Sequence, residues 1–159
     1  MQFSEDALKF LNLGINSEIA AYIFYKQAGK IVQDTELRET LLKLAGDEKE
    51  HFLSLEDLYD RSVRSEMWAP YKDILSKKGL PDIDELVQET HKELLAKIRG
   101  LSTKKEVLEM ALFLEKEAFD LFSNASGKTK DPDVKKVFEF LMGFERNHVV
   151  LIEKELAAV

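Results

Sequence analysis

Four glutamates and two histidines stand where an otherwise apolar helical pattern calls for core residues. Glu18 follows Leu11 and Ile15 and precedes Ala21, Tyr22 and Tyr25, while Glu48 lies between Leu44 and Phe52. Glu115 lies between Ala111 and Phe119, and Glu145 between Leu141 and Val149. His51 and His148 each follow a glutamate by three residues, and residues three apart share a helix face. A buried carboxylate without a partner is costly, and four together repel and draw in protons. Two divalent cations remove both difficulties, because their charge matches four carboxylates while neutral imidazoles add none. Oxygen-rich ligation with one imidazole per metal suits iron or manganese, with zinc possible.

Helices must position these groups. Leu8, Leu11, Ile15, Tyr22, Tyr25 and Val32 form one stripe of a first helix, capped by Ser4 with acidic Glu5 and Asp6 behind it. A second begins near Asp34-Thr35 and carries Leu37, Leu41, Leu44, Phe52, Leu55 and Tyr59. The short turn between them predicts antiparallel neighbours. From about Ser65 the pattern breaks at Met67, Trp68, Pro70, Gly79 and Pro81, and a short helix is expected from Asp84 to Ile98. Ser102 is read as the cap of a third helix bearing Val107, Leu108, Ala111, Phe119 and Phe122. A fourth starts at Asp131-Pro132-Asp133, with proline at the first helical position. Its stripe is Val134, Phe138, Leu141, Val149, Ile152 and Leu156.

The two halves repeat. A shift of 97 residues puts Glu18 on Glu115, Ala21 on Ala118, Tyr25 on Phe122, Glu48 on Glu145 and His51 on His148. The same shift puts Leu41 on Phe138, Leu44 on Leu141 and Leu55 on Ile152, so polar and apolar positions coincide without a gap. The expected fold is an all-α four-helix bundle, one domain over residues 1–159. It consists of two hairpins, about 4–64 and 102–157, joined by a long crossover at about 65–101 that contains the short helix.

Composition narrows the partners. The chain has 159 residues, a formal net charge of −7 and no lysine–arginine cluster longer than two residues, which argues against nucleic acid. There is no cysteine, so disulfides, thiol nucleophiles, thiolate zinc sites and cysteine-held iron–sulfur clusters are excluded for these residues. No stretch is long and apolar enough to span a bilayer. The start, Met1 to Asp6, has neither a basic region nor an apolar run, so a cytoplasmic location is expected.

Other candidates carry less. Tyr25 could hydrogen-bond a ligand across the core, although its counterpart Phe122 has no hydroxyl. Glu117 falls on the wrong side of its helix to join Glu115 and is expected to be solvated. His91 has no matched partner and reads as an ordinary histidine. Trp68, Pro70 and Tyr71 are expected to pin the crossover or to form a dimer contact.

On Glu18-x-x-Ala21-x-x-x-Tyr25, Glu48-x-x-His51, Glu115-x-x-Ala118-x-x-x-Phe122 and Glu145-x-x-His148, the chain resembles the rubrerythrin branch of the ferritin-like di-iron carboxylate proteins. The resemblance covers all four long helices. It implies a ferritin-like bundle holding two iron ions that react with peroxide or O₂ in the cytoplasm, often as a homodimer. Two features depart from the family. The rubredoxin domain of full-length rubrerythrins needs four cysteines, so electrons would have to come from a separate donor protein. A second carboxylate one turn from the third-helix ligand is also typical, yet Leu112 and Ala118 occupy those positions here. The expected function is therefore peroxide reduction or ferrous-iron oxidation, in oxidative-stress defence or iron handling. A non-enzymatic iron-storage or metal-binding protein is the alternative.

Overall fold

The computed structural model describes residues 4–63 and 92–159. Among these residues the chain is entirely helical: α1 (Glu5–Ile31), α2 (Thr35–Val63), α3 (Lys92–Arg99), α4 (Lys104–Lys128) and α5 (Pro132–Ala157). The expectations for Trp68, Pro70, Tyr71 and His91, and for the crossover before Lys92, lie outside the described residues. The short helix expected from Asp84 is described from Lys92 and runs to Arg99.

Local chemistry sets the helix ends. The Ser4 hydroxyl accepts from the Ala7 amide at 3.1 Å and satisfies one of the unpaired donors of the first turn. At the start of α2, Asp34 Oδ1 accepts from the Leu37 amide at 2.8 Å. The cap of α4 is Thr103, one residue later than the expected Ser102. Its hydroxyl accepts from the Glu106 amide at 3.1 Å, while both hydroxyls donate to Glu106 Oε1 at 3.0 Å. Either residue can cap chemically, and the backbone decides: Thr103 takes the extended conformation that precedes the first helical residue.

The two hairpin turns repeat along with the helices. Val32 and Thr129, 97 residues apart, have the same backbone angles, φ −75° and ψ 141°, and their amides bond back to Ala28 and Ala125. Asp34 and Asp131 then diverge. Asp131 makes no side-chain cap; its carboxylate instead accepts from the Ser4 hydroxyl at 3.1 Å and ties the start of α1 to the turn between α4 and α5.

Within each hairpin α1 packs along α2 and α4 along α5, and across the bundle α1 meets α4 and α2 meets α5. Two apolar clusters result. One gathers Leu41, Leu44, Val107, Leu108, Ala111 and Ile152 around α1 from Ala21 to Val32. The other gathers Leu11, Ile15, Leu55, Phe122, Val134, Phe138 and Leu141. Burying a side chain of this size is worth roughly 1.5–3 kcal/mol, so these clusters hold the bundle together. Ile23 and Phe24 lie off the stripe expected for α1, yet both are buried. The reason is α3, which packs on α1 and brings Leu95 and Ile98 into the same cluster. This is a ferritin-like helical bundle, and between its apolar clusters sits a polar layer.

Candidate metal centre

Each long helix contributes to that layer at its middle. Glu18 lies between Ile15 and Ala21 on α1, and Glu115 between Ala111 and Ala118 on α4. Glu48 and His51 lie on α2, and Glu145 and His148 on α5. All six side chains are buried, none more than 5% exposed. Two overlapping sets of four form, Glu18 with Glu48, His51 and Glu145, and Glu48 with Glu115, Glu145 and His148. Within each set the donor atoms lie within 4.8 Å of one another.

The shared glutamates divide their oxygens between the sets. His51 Nδ1 lies 3.4 Å from Glu145 Oε1, 3.5 Å from Glu18 Oε2 and 3.6 Å from Glu48 Oε2. His148 Nδ1 lies 3.0 Å from Glu48 Oε1, 3.3 Å from Glu115 Oε1 and 3.5 Å from Glu145 Oε2. The imidazoles are nearly parallel, with ring centres 5.9 Å apart. Glu48 and Glu145 thus have the placement of bridging carboxylates, while Glu18 and Glu115 flank them.

Electrostatics shows what this arrangement costs in the absence of cations. Burial and the charge of Glu48 push the Glu115 carboxyl well above its usual range. Burial acts on Glu145 in the same sense, but Glu115 and the two imidazoles outweigh it and pull Glu145 down to about 2. Burial by itself would lower His51, yet the facing Glu145 and Glu48 carboxylates raise it to about 9. His148 is raised further against burial by Glu115, Glu145 and Glu48. Protons therefore gather at the layer and partly offset its negative charge.

A test of whether the residues fit metal comes from hydrogen bonding. Among the described residues, ten buried side-chain nitrogen and oxygen atoms have no hydrogen-bond partner, and all ten belong to these six residues. Such an atom costs roughly 1–3 kcal/mol when left unpaired, against a total stability of about 5–15 kcal/mol for a domain. Packing alone gives no account of such a set. Carboxylate oxygens and imidazole nitrogens with open lone pairs are the donor set that divalent iron, manganese or zinc accepts.

The layer has neighbours of its own. Tyr25 is fully buried and donates its hydroxyl to Glu115 Oε1 at 2.5 Å. Burial and the charge of Glu115 push its phenol well above the ordinary value, so it stays protonated. Asp47, which the sequence did not single out, has Oδ2 3.1 Å from His148 Nε2. It is half-buried and off the apolar stripe of α2, and its partner lies on another helix, so helical periodicity passes over it. The repeat held one signal: Asp47 falls on Phe144, a mismatch next to a matched ligand. Glu117 is exposed, as expected.

The model of the Rubrerythrin family matches residues 9–156, nearly the whole chain and all the residues of the polar layer. The chain belongs to the rubrerythrin family. This is a family of di-iron carboxylate proteins, and the buried cluster supplies residues that could hold a metal. A hypothetical protein from Pyrococcus furiosus shares the fold, with a TM-score of 0.66 at 20% identity over 95% of this chain and 88% of that one. No curated protein matches the sequence. Leu112 and Ala118 flank Glu115 by one turn, so no second carboxylate stands three residues from it on α4. No described helix is long and apolar enough to cross a membrane.

Proposed function

We propose that this rubrerythrin-family chain holds a pair of iron ions through Glu18, Glu48, His51, Glu115, Glu145 and His148, and reduces peroxide or O₂ there. The observation that carries the reading is the set of ten orphaned donor atoms shared by two overlapping clusters. When bound, an iron pair supplies one electron from each ferrous ion to the oxidant. The protein's own residues do the rest. Glu48 and Glu145 belong to both donor sets and would offer an oxygen to each ion. The apolar clusters above and below exclude bulk water and strengthen every charge interaction inside. Tyr25 keeps its own proton and donates it in a hydrogen bond to Glu115 Oε1, which steadies that carboxylate.

The absence of cysteine means that the four-thiolate relay cannot be formed by these 159 residues, so the reductant in this reading is a separate electron-donor protein. With no second carboxylate one turn from Glu115, ligand exchange at that position is not available. The chemistry is then either peroxide reduction with both ions held in place or oxidation of incoming ferrous iron.

The test is elemental analysis of anaerobically reconstituted protein, then stopped-flow mixing with peroxide and with O₂. About two irons per chain and faster oxidation by peroxide give a peroxide reductase, and faster oxidation by O₂ a ferroxidase. Stoichiometric iron without fast oxidation gives a storage or binding protein. A chain that takes up no iron overturns the reading.

A further inference from the structure

The six donor residues obey the repeat, but the residues behind them do not. His148 keeps Nδ1 toward the carboxylates while Nε2 faces Asp47 Oδ2 at 3.1 Å. A carboxylate there accepts a hydrogen bond from Nε2–H, which keeps the proton on Nε2, leaves the lone pair for a metal on Nδ1 and holds the ring in orientation. At the matching place beside His51 stands Phe144, with its ring edge-on to the imidazole at 4.8 Å and 77°. A phenyl ring accepts no comparable hydrogen bond, and His51 Nε2 is buried without a partner among the described residues.

The flanking glutamates differ in the same sense. Glu115 Oε1 accepts from Tyr25, which restrains the carboxylate before any ion arrives. The repeat places Phe122 where Glu18 would find its tyrosine. Phe122 stacks on Phe138 with ring centres 5.8 Å apart, and neither Glu18 oxygen has a hydrogen-bond partner among the described residues. Both supports thus fall on the side of Glu115 and His148, while Phe144 lies edge-on to both imidazoles, at 4.8 Å from His51 and 6.5 Å from His148.

We propose that the two metal positions are inequivalent: the one formed by Glu115 and His148 binds a divalent cation first and more tightly, because Asp47 and Tyr25 pre-orient its ligands, while Glu18 and the outer nitrogen of His51 have no such partner among the described residues. Asp47 is a positioning residue acting through His148. Partners of this kind change metal affinity by about 10–100-fold. The inference rests on the metal-centre reading, and cobalt(II) as a non-redox probe separates the fate of the two.

The experiment is an anaerobic titration of the metal-free 159-residue chain with Co(II), followed by calorimetry and by the visible absorption of bound cobalt. The expected isotherm has two steps separated by about 10–100-fold. His148→Ala removes the tight step and His51→Ala removes the weak one. Asp47→Asn weakens the tight step toward the other, Asp47→Glu restores part of the separation, and Phe144→Asp tightens the weak step. A merely structural Asp47 would lower the stability of the metal-free protein without changing the ratio of the two affinities. Two equal steps, loss of the tight step in His51→Ala instead of His148→Ala, or an unchanged ratio in Asp47→Asn would overturn the inequivalence while leaving the metal centre standing. No cobalt binding at all would overturn both. Should Asp47→Asn fail to fold, the wild-type isotherm and the two histidine variants still decide.

Discussion

The hairpin of α1 and α2 and the hairpin of α4 and α5 are built to one plan and finished differently. The buried glutamates and histidines, the turn geometry and the apolar stripe agree at a constant shift of 97 residues. Differences begin one layer outward: Tyr25 against Phe122, Asp47 against Phe144, Asp34 capping α2 against Asp131 reaching across to Ser4. Residues that meet at the centre are constrained by both hairpins at once, because each donor set draws on three helices. Residues behind them answer to one neighbour only and are freer to diverge. A duplicated framework can therefore keep its ligand set while making its two halves chemically distinct.

The largest effects should come from breaking what the halves share. Glu48 and Glu145 each serve both donor sets, whereas Glu18 and Glu115 serve one apiece. Glu48→Ala or Glu145→Ala is expected to reduce bound metal from about two ions per chain to near none. Glu18→Ala or Glu115→Ala should leave about one. Elemental analysis after reconstitution distinguishes these outcomes. If Glu18→Ala also emptied the protein, the two positions would not be separable, and the comparison between hairpins would lose its chemical meaning.

A second effect concerns protons standing in for cations. In the metal-free protein His51 titrates near 9, above its unfolded value of 6.5. A group raised in this way stabilises the fold fully below pH 6.5, and its contribution is lost as pH rises through 9. At 1.36 kcal/mol per unit, the contribution is roughly 3 kcal/mol. Glu115, also raised, acts in the same direction, since its ionisation at higher pH charges a buried carboxyl. Metal-free protein should thus lose stability between about pH 6.5 and 9, by denaturant midpoint, while metal-loaded protein stays nearly level across that window. Metal binding should release protons over the same range. A metal-free midpoint that rose with pH would contradict the charge assignment of the layer.

These contrasts also explain how much could be read beforehand. The four glutamates and two histidines were legible because a charged residue inside an apolar stripe violates the pattern, and the repeat showed the violation twice. The helices followed from the same periodicity. Asp47 was not legible because a half-exposed acid beside the stripe looks like any solvated residue until α5 is docked. Ile23 and Phe24 were missed for a similar reason, as their burial depends on α3 covering the outer face of α1. At the start of α4, two adjacent hydroxyls competed and only the backbone angles chose Thr103. What a single helix dictates was readable; what a second helix imposes was not.

The smallest effect tests the packing behind the ligands. Gly14 on α1 corresponds to Ala111 on α4, so one hairpin carries a methyl group where the other has none. The structure supplies the reason: a Cβ at Gly14 would come within 2.9 Å of the Phe122 ring and 3.2 Å of Leu55. Overpacking of this kind costs about 1–3 kcal/mol, while alanine in place of glycine within a helix returns about 1 kcal/mol. Gly14→Ala should therefore destabilise by about 1 kcal/mol net, read from the urea midpoint. In a Phe122→Leu background, with the ring gone and only the flexible Leu55 methyl left at 3.2 Å, the same substitution should change sign and become stabilising, because the helix-propensity gain then exceeds the remaining crowding. An unchanged sign would mean that Phe122 is not what keeps this position small, and that the divergence of Tyr25 and Phe122 did not bring the glycine with it.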